Sequence, residues 1–160
     1  MCVSFFVGEI MIEKYMRLAL KQAEKSLDVD VPVGAIIVKN NKIIARGFNK
    51  KELEKNAIKH AEIIAIEKAC KKLKTWHLED CEIYITMEPC LMCVGAIIQS
   101  RISKVYYGVK NNKFGISNYF DIENRVKINN HYIKFYGGFL KDEIEKQIKD
   151  FFKQKRTKVR

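Results

Sequence analysis

Residues 59–70 read KHAEIIAIEKAC, an amphipathic helix pattern that begins with a histidine and a glutamate two positions apart. The apolar residues that follow predict a helix with one face packed on the core. Side chains two positions apart on a regular helix do not face each other. His60 and Glu62 can therefore share a target only if it lies beyond the end of the helix rather than along its side.

A second motif, MEPCLMCVGAI at residues 87–97, places Cys90 and Cys93 three positions apart, just after Pro89. Proline is favoured in the first turn of a helix, so both thiols should lie on one face of that turn. The N-terminus of a helix favours thiolates, and sulfur combined with imidazole favours zinc among the common divalent ions. The two motifs together predict a zinc site at the mouth of two helix N-termini.

A closed, structural zinc site would need a fourth protein ligand, for which the sequence offers Cys70 and Cys81. A continuous helix would place Cys70 about 15 Å from His60. An extended strand would place Cys81 about 20 Å from Cys90. Three protein ligands with an open fourth position are typical of a catalytic zinc that holds water.

Glu62 need not be a metal ligand in such a site. Beside the metal it can take a proton from activated water and pass it to the leaving group. As the alternative, a glutamate in a first turn simply interacts favourably with the helix dipole. The neighbouring histidine and thiols favour the catalytic interpretation.

Between Glu62 and Pro89 lie 26 residues, and the combination of His-x-Glu with Pro-Cys-x-x-Cys is the signature of the zinc deaminases. With the segments around it, the chain resembles the cytidine deaminase-like superfamily and, within it, the bacterial tRNA adenosine deaminases. The resemblance extends from Glu13 to Phe152. Its matching segments are VPVGAIIV, GFN, HAEIIAI, YITMEPCLMCVGAIIQSRI, VYYGVKNNKFG, NHYIKFYGGFL and DFFKQKR.

The resemblance implies an α/β fold, a three-layer α/β/α sandwich with a five-stranded mixed sheet flanked by helices, usually assembled as a homodimer. It also implies one Zn²⁺ per chain and the hydrolytic conversion of adenosine to inosine at the wobble position of a tRNA anticodon. Residues 11–160 would form this single zinc deaminase domain, which ends in a basic helix.

Site residues follow from the resemblance by position. It implies that Glu62 is the catalytic proton carrier, that Asn49 contacts the target base, and that the zinc ligands are His60, Cys90 and Cys93. The backbone around Val33, Ala61 and Cys90 would line the pocket. Without the resemblance, Asn49 is better interpreted as a turn residue that closes a strand.

The closing segment DFFKQKRTKVR is the predicted RNA contact. A base that is stacked in RNA must be splayed out to reach a pocket, and an anticodon loop allows this at low cost. Phe151 and Phe152 supply stacking surface, while Lys153 and Arg156 supply charge for phosphates. The alternatives are that the phenylalanines pack on the core and that the net charge of +11 is simply solvated.

Three positions depart from the tRNA deaminase pattern. NAIK at residues 56–59 stands where that group usually has Asp-Pro-Thr-Ala, and Asn111 stands where it usually has aspartate. Asn130-His131-Tyr132-Ile133 stands in place of Asn-His-Arg-Val. We include Asn111 among the substrate-binding residues and expect its lost negative charge to weaken discrimination by repulsion.

Two rival functions use the same residues. The first is a deaminase of a free base or nucleoside, such as guanine or cytosine, which the basic tail disfavours because a small neutral substrate needs no such charge. The second is a nucleic-acid-binding subunit with a structural or inactive zinc site, which Glu62 disfavours.

The remaining segments predict strands that alternate with helices and show no domain boundary. Predicted helices cover residues 12–27, 60–72, 89–99 and 141–155; predicted strands include a hairpin around Asn40 and Asn41, CEIYITM, KVYYGV and HYIKFY. Since MIEKYMRLALKQAEK begins afresh at Met11, we treat residues 1–10 as a candidate non-native or disordered extension.

Five cysteines, an odd number, and a start without a secretory pattern predict a reduced, cytoplasmic protein. We find no apolar stretch of the roughly 20 residues that a membrane span requires. We therefore expect no membrane partner.

Overall fold

The computed structural model describes residues 2–158, in which helices and strands alternate. The helices are α1 (Cys2–Ala23), α2 (Ala61–Leu73), α3 (Leu91–Gln99) and α4 (Lys141–Lys158). The strands are β1 (Gly34–Lys39), β2 (Lys42–Phe48), β3 (Cys81–Met87), β4 (Lys104–Val109), β5 (Val126–Ile128) and β6 (His131–Tyr136). Two short 3₁₀ turns, Glu24–Ser26 and Ile116–Asn118, complete the described elements.

The strands form one mixed sheet in the order β2-β1-β3-β4-β6-β5. Strands β3, β4 and β6 are parallel, while β1 is antiparallel to both of its neighbours. Met87 at the end of β3 pairs with Val109 at the end of β4. The loops that follow these two strands therefore leave the sheet at the same edge, where open α/β sheets bind their ligands.

Helices cover both faces of the sheet, as the three-layer prediction requires. One core, under α2 and α3, contains Ile83, Ile85 and Val105 among its strand residues. The other, under α1 and α4, contains Ile36 and Tyr84. The alternation of buried side chains to the two faces explains why the central strands read as nearly continuous apolar runs.

Two glycines allow the helices to approach the sheet closely. A Cβ on Gly34 would collide with the backbone oxygen of Ala19 in α1, and a Cβ on Gly47 would collide with that of Ala61 in α2. The second contact fixes the start of α2 against β2. It thereby fixes the position of the His-Ala-Glu motif.

The sheet has six strands rather than the five that were predicted. The additional strand, β5, is only three residues long and pairs antiparallel with β6 around Asn129 and Asn130. Both asparagines have positive φ, 49° and 59°, as do Asn40 and Asn41 in the predicted hairpin at 48° and 59°. Asparagine tolerates this conformation, so the second Asn-Asn pair marks a second hairpin.

Helix α1 begins at Cys2 and ends at Ala23, so it is longer at its start than the predicted helix of residues 12–27. It passes through the segment that was treated as an extension, and Met1 lies outside the described residues. Whether residues 1–10 are native therefore stays a prediction. In the part of the chain that is described, no helix has the length and apolar character to cross a bilayer.

Candidate active site

The predicted zinc ligands lie at the starts of two helices. His60 is the N-cap residue of α2, and Cys90 is the N-cap residue of α3, both in extended backbone conformation. Neither side chain makes a capping hydrogen bond, so both remain available to a shared site. Cys93 lies in the first turn of α3. Pro89 stands before the N-cap rather than in the first turn, which corrects the predicted start of this helix by two residues.

The three side chains converge to a geometry that fits zinc. His60 Nδ1 lies 3.8 Å from Cys90 Sγ and 3.6 Å from Cys93 Sγ. Tetrahedral zinc with ordinary Zn–S and Zn–N bonds requires S···N separations of about 3.6 Å. Among residues 7–158, whose side chains are described, this is the one group of three such side chains whose ligand atoms all lie within 4.8 Å of one another. Neither Cys70 nor Cys81 joins it, so a bound ion would have an open fourth position.

Mutual hydrogen bonding sets the protonation of the free ligands. The hydrogen bond from Cys93, aided by His60, lowers the pKa of Cys90 to about 4 despite burial. The same hydrogen bond, together with burial, raises the pKa of Cys93. The hydrogen bond to Cys90 also raises the pKa of His60. Metal binding needs the deprotonated forms, so it competes with protons at His60 and Cys93 and weakens as the pH falls.

Glu62 is buried in the first turn of α2, with 4% of its surface exposed. Burial raises the pKa of this carboxyl group, against smaller opposing effects of its own backbone N–H and of His60. No salt bridge neutralises it among the contacts of the described residues. A carboxyl group with a raised pKa next to the metal ligands is suited to accept and return a proton.

The metal-binding group opens into a cavity of about 640 Å³. This volume lies within the range of small-molecule sites in proteins. The cavity is lined by Val31, Val33, Asn49, Lys51, His60, Ala61, Glu62, Met87, Glu88, Cys90, Lys110, Asn111, Asn112, Lys113, Phe114 and Phe152.

Asn49 follows β2 directly and lines the cavity. Its backbone N–H donates to Val33 O at 3.0 Å, and its Nδ2 donates to Val31 O at 3.2 Å. Its Oδ1 is buried and accepts no hydrogen bond in the described structure. A buried acceptor without a partner is costly, and a ligand N–H would satisfy it.

The residues expected to contact RNA divide between the cavity, the core and the outer surface. Phe152 lines the cavity and is 46% exposed. Phe151 is 4% exposed and does not line the cavity, so it packs on the core and offers no surface to RNA. Lys153 and Arg156 are exposed on α4 beyond the cavity lining.

The loop after β4, residues 110–118, forms a wall of the cavity that sequence reasoning largely missed. Glu88 is fully buried, and its carboxylate accepts hydrogen bonds from Asn111 N at 3.1 Å and Ser117 N at 2.6 Å. Pro89 O accepts a further hydrogen bond from Ile116 N at 3.0 Å. The acidic residue before Pro-Cys was the available signal for this anchor.

Asn111 builds the turn of this loop. Its Oδ1 accepts a hydrogen bond from Phe114 N at 3.0 Å, and its backbone oxygen accepts one from Gly115 N at 2.8 Å. It also lines the cavity, as expected for a substrate-binding residue. Its side chain is thus already engaged in shaping the loop.

Positive charge surrounds the mouth of the cavity. Lys51, Lys110 and Lys113 are exposed lining residues, whereas the two lining carboxylates, Glu62 and Glu88, are buried. A site with cations at its mouth and buried carboxyl groups inside is suited to a substrate whose reacting part is neutral and whose flanks are anionic.

This fold and site define the class of nucleobase and nucleoside deaminases with a His/Cys/Cys metal group. The MafB19-like deaminase family matches residues 11–156, and the chain belongs to that family. The tRNA-specific adenosine deaminase of Bacillus subtilis is 40% identical over 147 residues, which is 91% of each chain.

Solved structures agree with this assignment. One, from a study of A-to-I editing by tRNA:A34 deaminases at the wobble position of transfer RNA, has a TM-score of 0.73 and 30% identity, covering 84% of this chain and 98% of the other. The guanine deaminase of Bacillus subtilis has a TM-score of 0.61 and 31% identity, covering 91% and 93%.

Proposed function

We propose that this protein is a zinc-dependent hydrolase that converts adenosine to inosine, with release of ammonia, at the wobble position of a tRNA anticodon. The observation that carries the proposal is the convergence of His60, Cys90, Cys93 and buried Glu62 on a cavity whose mouth carries lysines. The 40% identity to a tRNA-specific adenosine deaminase over 91% of the chain supports the same substrate.

Each site residue has a defined part in the reaction. His60 and the thiolates of Cys90 and Cys93 would hold zinc, which would supply Lewis-acid activation of water. Glu62 takes a proton from the attacking water and delivers it to the departing amino group, so that adenosine and water give inosine and ammonia. Asn49 holds the base through its unpartnered Oδ1.

The surface around the cavity suits RNA better than a free base. The anticodon loop leaves its bases unpaired, so one of them can be splayed into the cavity at low cost. Lys51, Lys110 and Lys113 are exposed lining residues that can neutralise the phosphates flanking the target, and Phe152 offers an exposed ring. Exposed Lys153 and Arg156 extend the positive surface along α4.

An inosine assay on an anticodon stem-loop tests the proposal. The purified protein should bind about one zinc per chain and form inosine from a stem-loop with wobble adenosine, but should form no xanthosine from one with wobble guanosine. Glu62→Gln should keep the metal and lose at least about 10²-fold in kcat, because it cannot transfer the proton. Exposed Glu79→Gln is the matched control and should retain activity. Normal turnover by Glu62→Gln would refute the mechanism.

The guanine deaminase structure supports one alternative, a deaminase of a free base or nucleoside such as guanine or cytosine. Ammonia release from free guanine or cytosine, without inosine in the stem-loop, would establish that alternative. A third outcome, RNA binding without turnover of any of these substrates, would indicate a binding subunit.

We also propose that the protein is a homodimer that assembles through α3. This helix has no charged residue, and its exposed side includes Leu91, Met92 and Gly95, at which an added Cβ would meet no atom. On a chain of net charge +11, a surface without lysine is where two copies can meet with least repulsion. Met92→Lys should give a monomer by light scattering, whereas exposed Val29→Lys should not. On the basis of the tRNA substrate we also propose that the protein acts in the cytoplasm.

A further inference from the structure

Phe114 is an exposed ring at the mouth of the active-site cavity. It lines the cavity and has 58% of its surface exposed. Phe114 and Phe152 are the two phenylalanines among the lining residues. Single exposed apolar residues are common on protein surfaces, so exposure alone assigns no role. The position of the ring at the cavity and its surroundings indicate whether Phe114 has a role in binding.

The backbone that carries Phe114 is held firmly. Its N–H donates to Asn111 Oδ1, and the neighbouring Gly115 forms a bridge with Cys90, a predicted zinc ligand. Buried Glu88 fixes the loop at Asn111 and at Ser117. The ring is therefore presented at a fixed place relative to the metal-binding group rather than on a loosely attached loop.

A cation accompanies the ring. Lys113 Nζ lies 5.2 Å from the centroid of Phe114, and Lys113 also lines the cavity. An aromatic face next to an ammonium group is the combination that single-stranded nucleic acids use, with the ring stacking on a base and the cation neutralising a phosphate.

The proposed substrate needs such a surface. When the target adenosine leaves the anticodon loop, the nucleotides on either side lose a stacking partner. An aromatic ring at the mouth of the cavity can replace the lost partner. Stacking of a base on an aromatic side chain contributes about 1–3 kcal/mol.

We propose that Phe114 stacks on a nucleobase that flanks the target adenosine, and that Lys113 neutralises the adjoining phosphate. Residues 110–118 then act as a platform for the flanking nucleotide. This inference rests on the proposed function and identifies a positioning residue for the RNA, distinct from the groups that carry out the reaction.

Steady-state kinetics on the stem-loop provide the test. Phe114→Ala should raise KM about 5- to 150-fold, the equivalent of 1–3 kcal/mol, and leave kcat within about twofold. Phe114→Tyr should leave KM close to that of the unmodified protein, because tyrosine keeps the aromatic ring. Tyr119→Ala is the control, since Tyr119 is 60% exposed but does not line the cavity. Equal thermal melting of all forms would show that folding is unaffected.

A binding measurement separates stacking from general loss of structure. In the inactive Glu62→Gln background, 2-aminopurine placed 5′ or 3′ to the target should change fluorescence on binding in at least one of the two stem-loops. Phe114→Ala should abolish that change at saturating protein.

Two outcomes would overturn the inference. If the unmodified protein forms inosine and Phe114→Ala leaves KM unchanged, the platform is refuted while the proposed function stands. If the unmodified protein forms no inosine and its Glu62→Gln form does not bind the stem-loop, the proposed function fails and the platform fails with it.

Discussion

At the residue scale, His60 and Cys90 are N-cap residues that do not cap their helices. N-cap residues normally accept a hydrogen bond from the first turn, a contribution of about 0.5–2 kcal/mol. Neither side chain makes such a bond here. Instead both side chains converge with Cys93 on a group that could hold a metal ion, and the missing caps come at some cost in helix stability.

Glu88 is the residue on which the cavity wall depends, and its substitution is informative. Glu88→Gln replaces one acceptor oxygen with an amide donor opposite the N–H of Asn111 or Ser117. We expect a loss of about 1–3 kcal/mol in the free energy of unfolding. We also expect faster hydrogen exchange in residues 110–118.

Exposed Glu24→Gln serves as the control, because the Glu24 side chain makes no hydrogen bond or ion pair with the described residues, and should leave both quantities unchanged. An unaltered exchange rate in residues 110–118 of Glu88→Gln would show that this carboxylate does not anchor the loop.

The candidate metal group was predictable because its residue types stand at a recognisable spacing. The residues of the cavity wall were not predictable in this way. His60, Cys90 and Cys93 form a group that could hold a metal ion, and the chemistry of their side chains is visible in the sequence. Phe114 gains its position from hydrogen bonds of a loop without regular structure, which no periodicity records. Phe151 and Phe152 are adjacent in sequence, yet only the fold determines that one is buried and the other exposed.

At the element scale, the predictions succeeded where a helix or strand has a strong pattern of its own. Strand β3 and the hairpin at Asn40 and Asn41 lie where the sequence placed them. Strand β5 was missed because Val126–Ile128 is too short for an alternating pattern. This segment is a strand because it pairs with β6, and a local sequence pattern does not record such a pairing.

The two Asn-Asn turns predict a difference between substitutions at Asn130. Its φ is 59°, which a β-branched residue adopts only at a cost. Asn130→Val should lower the free energy of unfolding by about 1–2 kcal/mol, while Asn130→Gly should change it by only a few tenths. Urea denaturation measures both. Equal stability of the valine and glycine variants would contradict the left-handed turn.

The sheet face under α1 and α4 predicts a sensitivity to alkali. Tyr84 and Tyr106 stack at 4.6 Å between ring centroids, and Tyr106 stacks on Tyr136 at 4.9 Å. Burial raises the pKa of Tyr106 from 10.0 to about 12. The protonated form is thus favoured by folding, and its contribution to stability is complete below pH 10 and lost as the pH rises to about 12.

The free energy of unfolding should therefore fall between pH 10 and 12. Tyr106→Phe, which keeps the stacked ring, should make that fall less steep, as measured by urea denaturation at several pH values. Tyr119→Phe, at an exposed position, should follow the unmodified protein. A pH profile of Tyr106→Phe identical to that of the unmodified protein would exclude this tyrosine as a cause.

At the scale of the whole molecule, charge is arranged around the cavity and along α4. The last eight residues contain five cations, and Lys155 of this segment donates to Asp28 O at 3.2 Å. Each phosphate contact contributes to the salt dependence of RNA binding. For single strands, the logarithm of the association constant falls by about 0.7 per contact for each unit of log salt concentration, and log Kd rises by the same amount. Deleting residues 153–160 should therefore weaken stem-loop binding and reduce the slope of log Kd against log salt concentration.

Fluorescence anisotropy at several salt concentrations measures that slope. A control form with Lys71, Lys72 and Lys74 changed to glutamine alters the charge at the C-terminal end of α2, which is the end away from His60. It should leave the slope nearly unchanged. If the truncated protein keeps the full slope, the tail is only a solvated surface.

The spacing of the candidate metal ligands predicts an effect of zinc on folding. His60 and Cys90 are 30 positions apart, so an ion that joins them ties α2 to α3 and closes a long loop that includes β3. An unfolded chain does not hold such a loop, so the ion binds the folded state preferentially and adds to its stability by mass action. A rise in free zinc concentration should therefore raise the melting temperature, so that metal supply would set how stable the protein is.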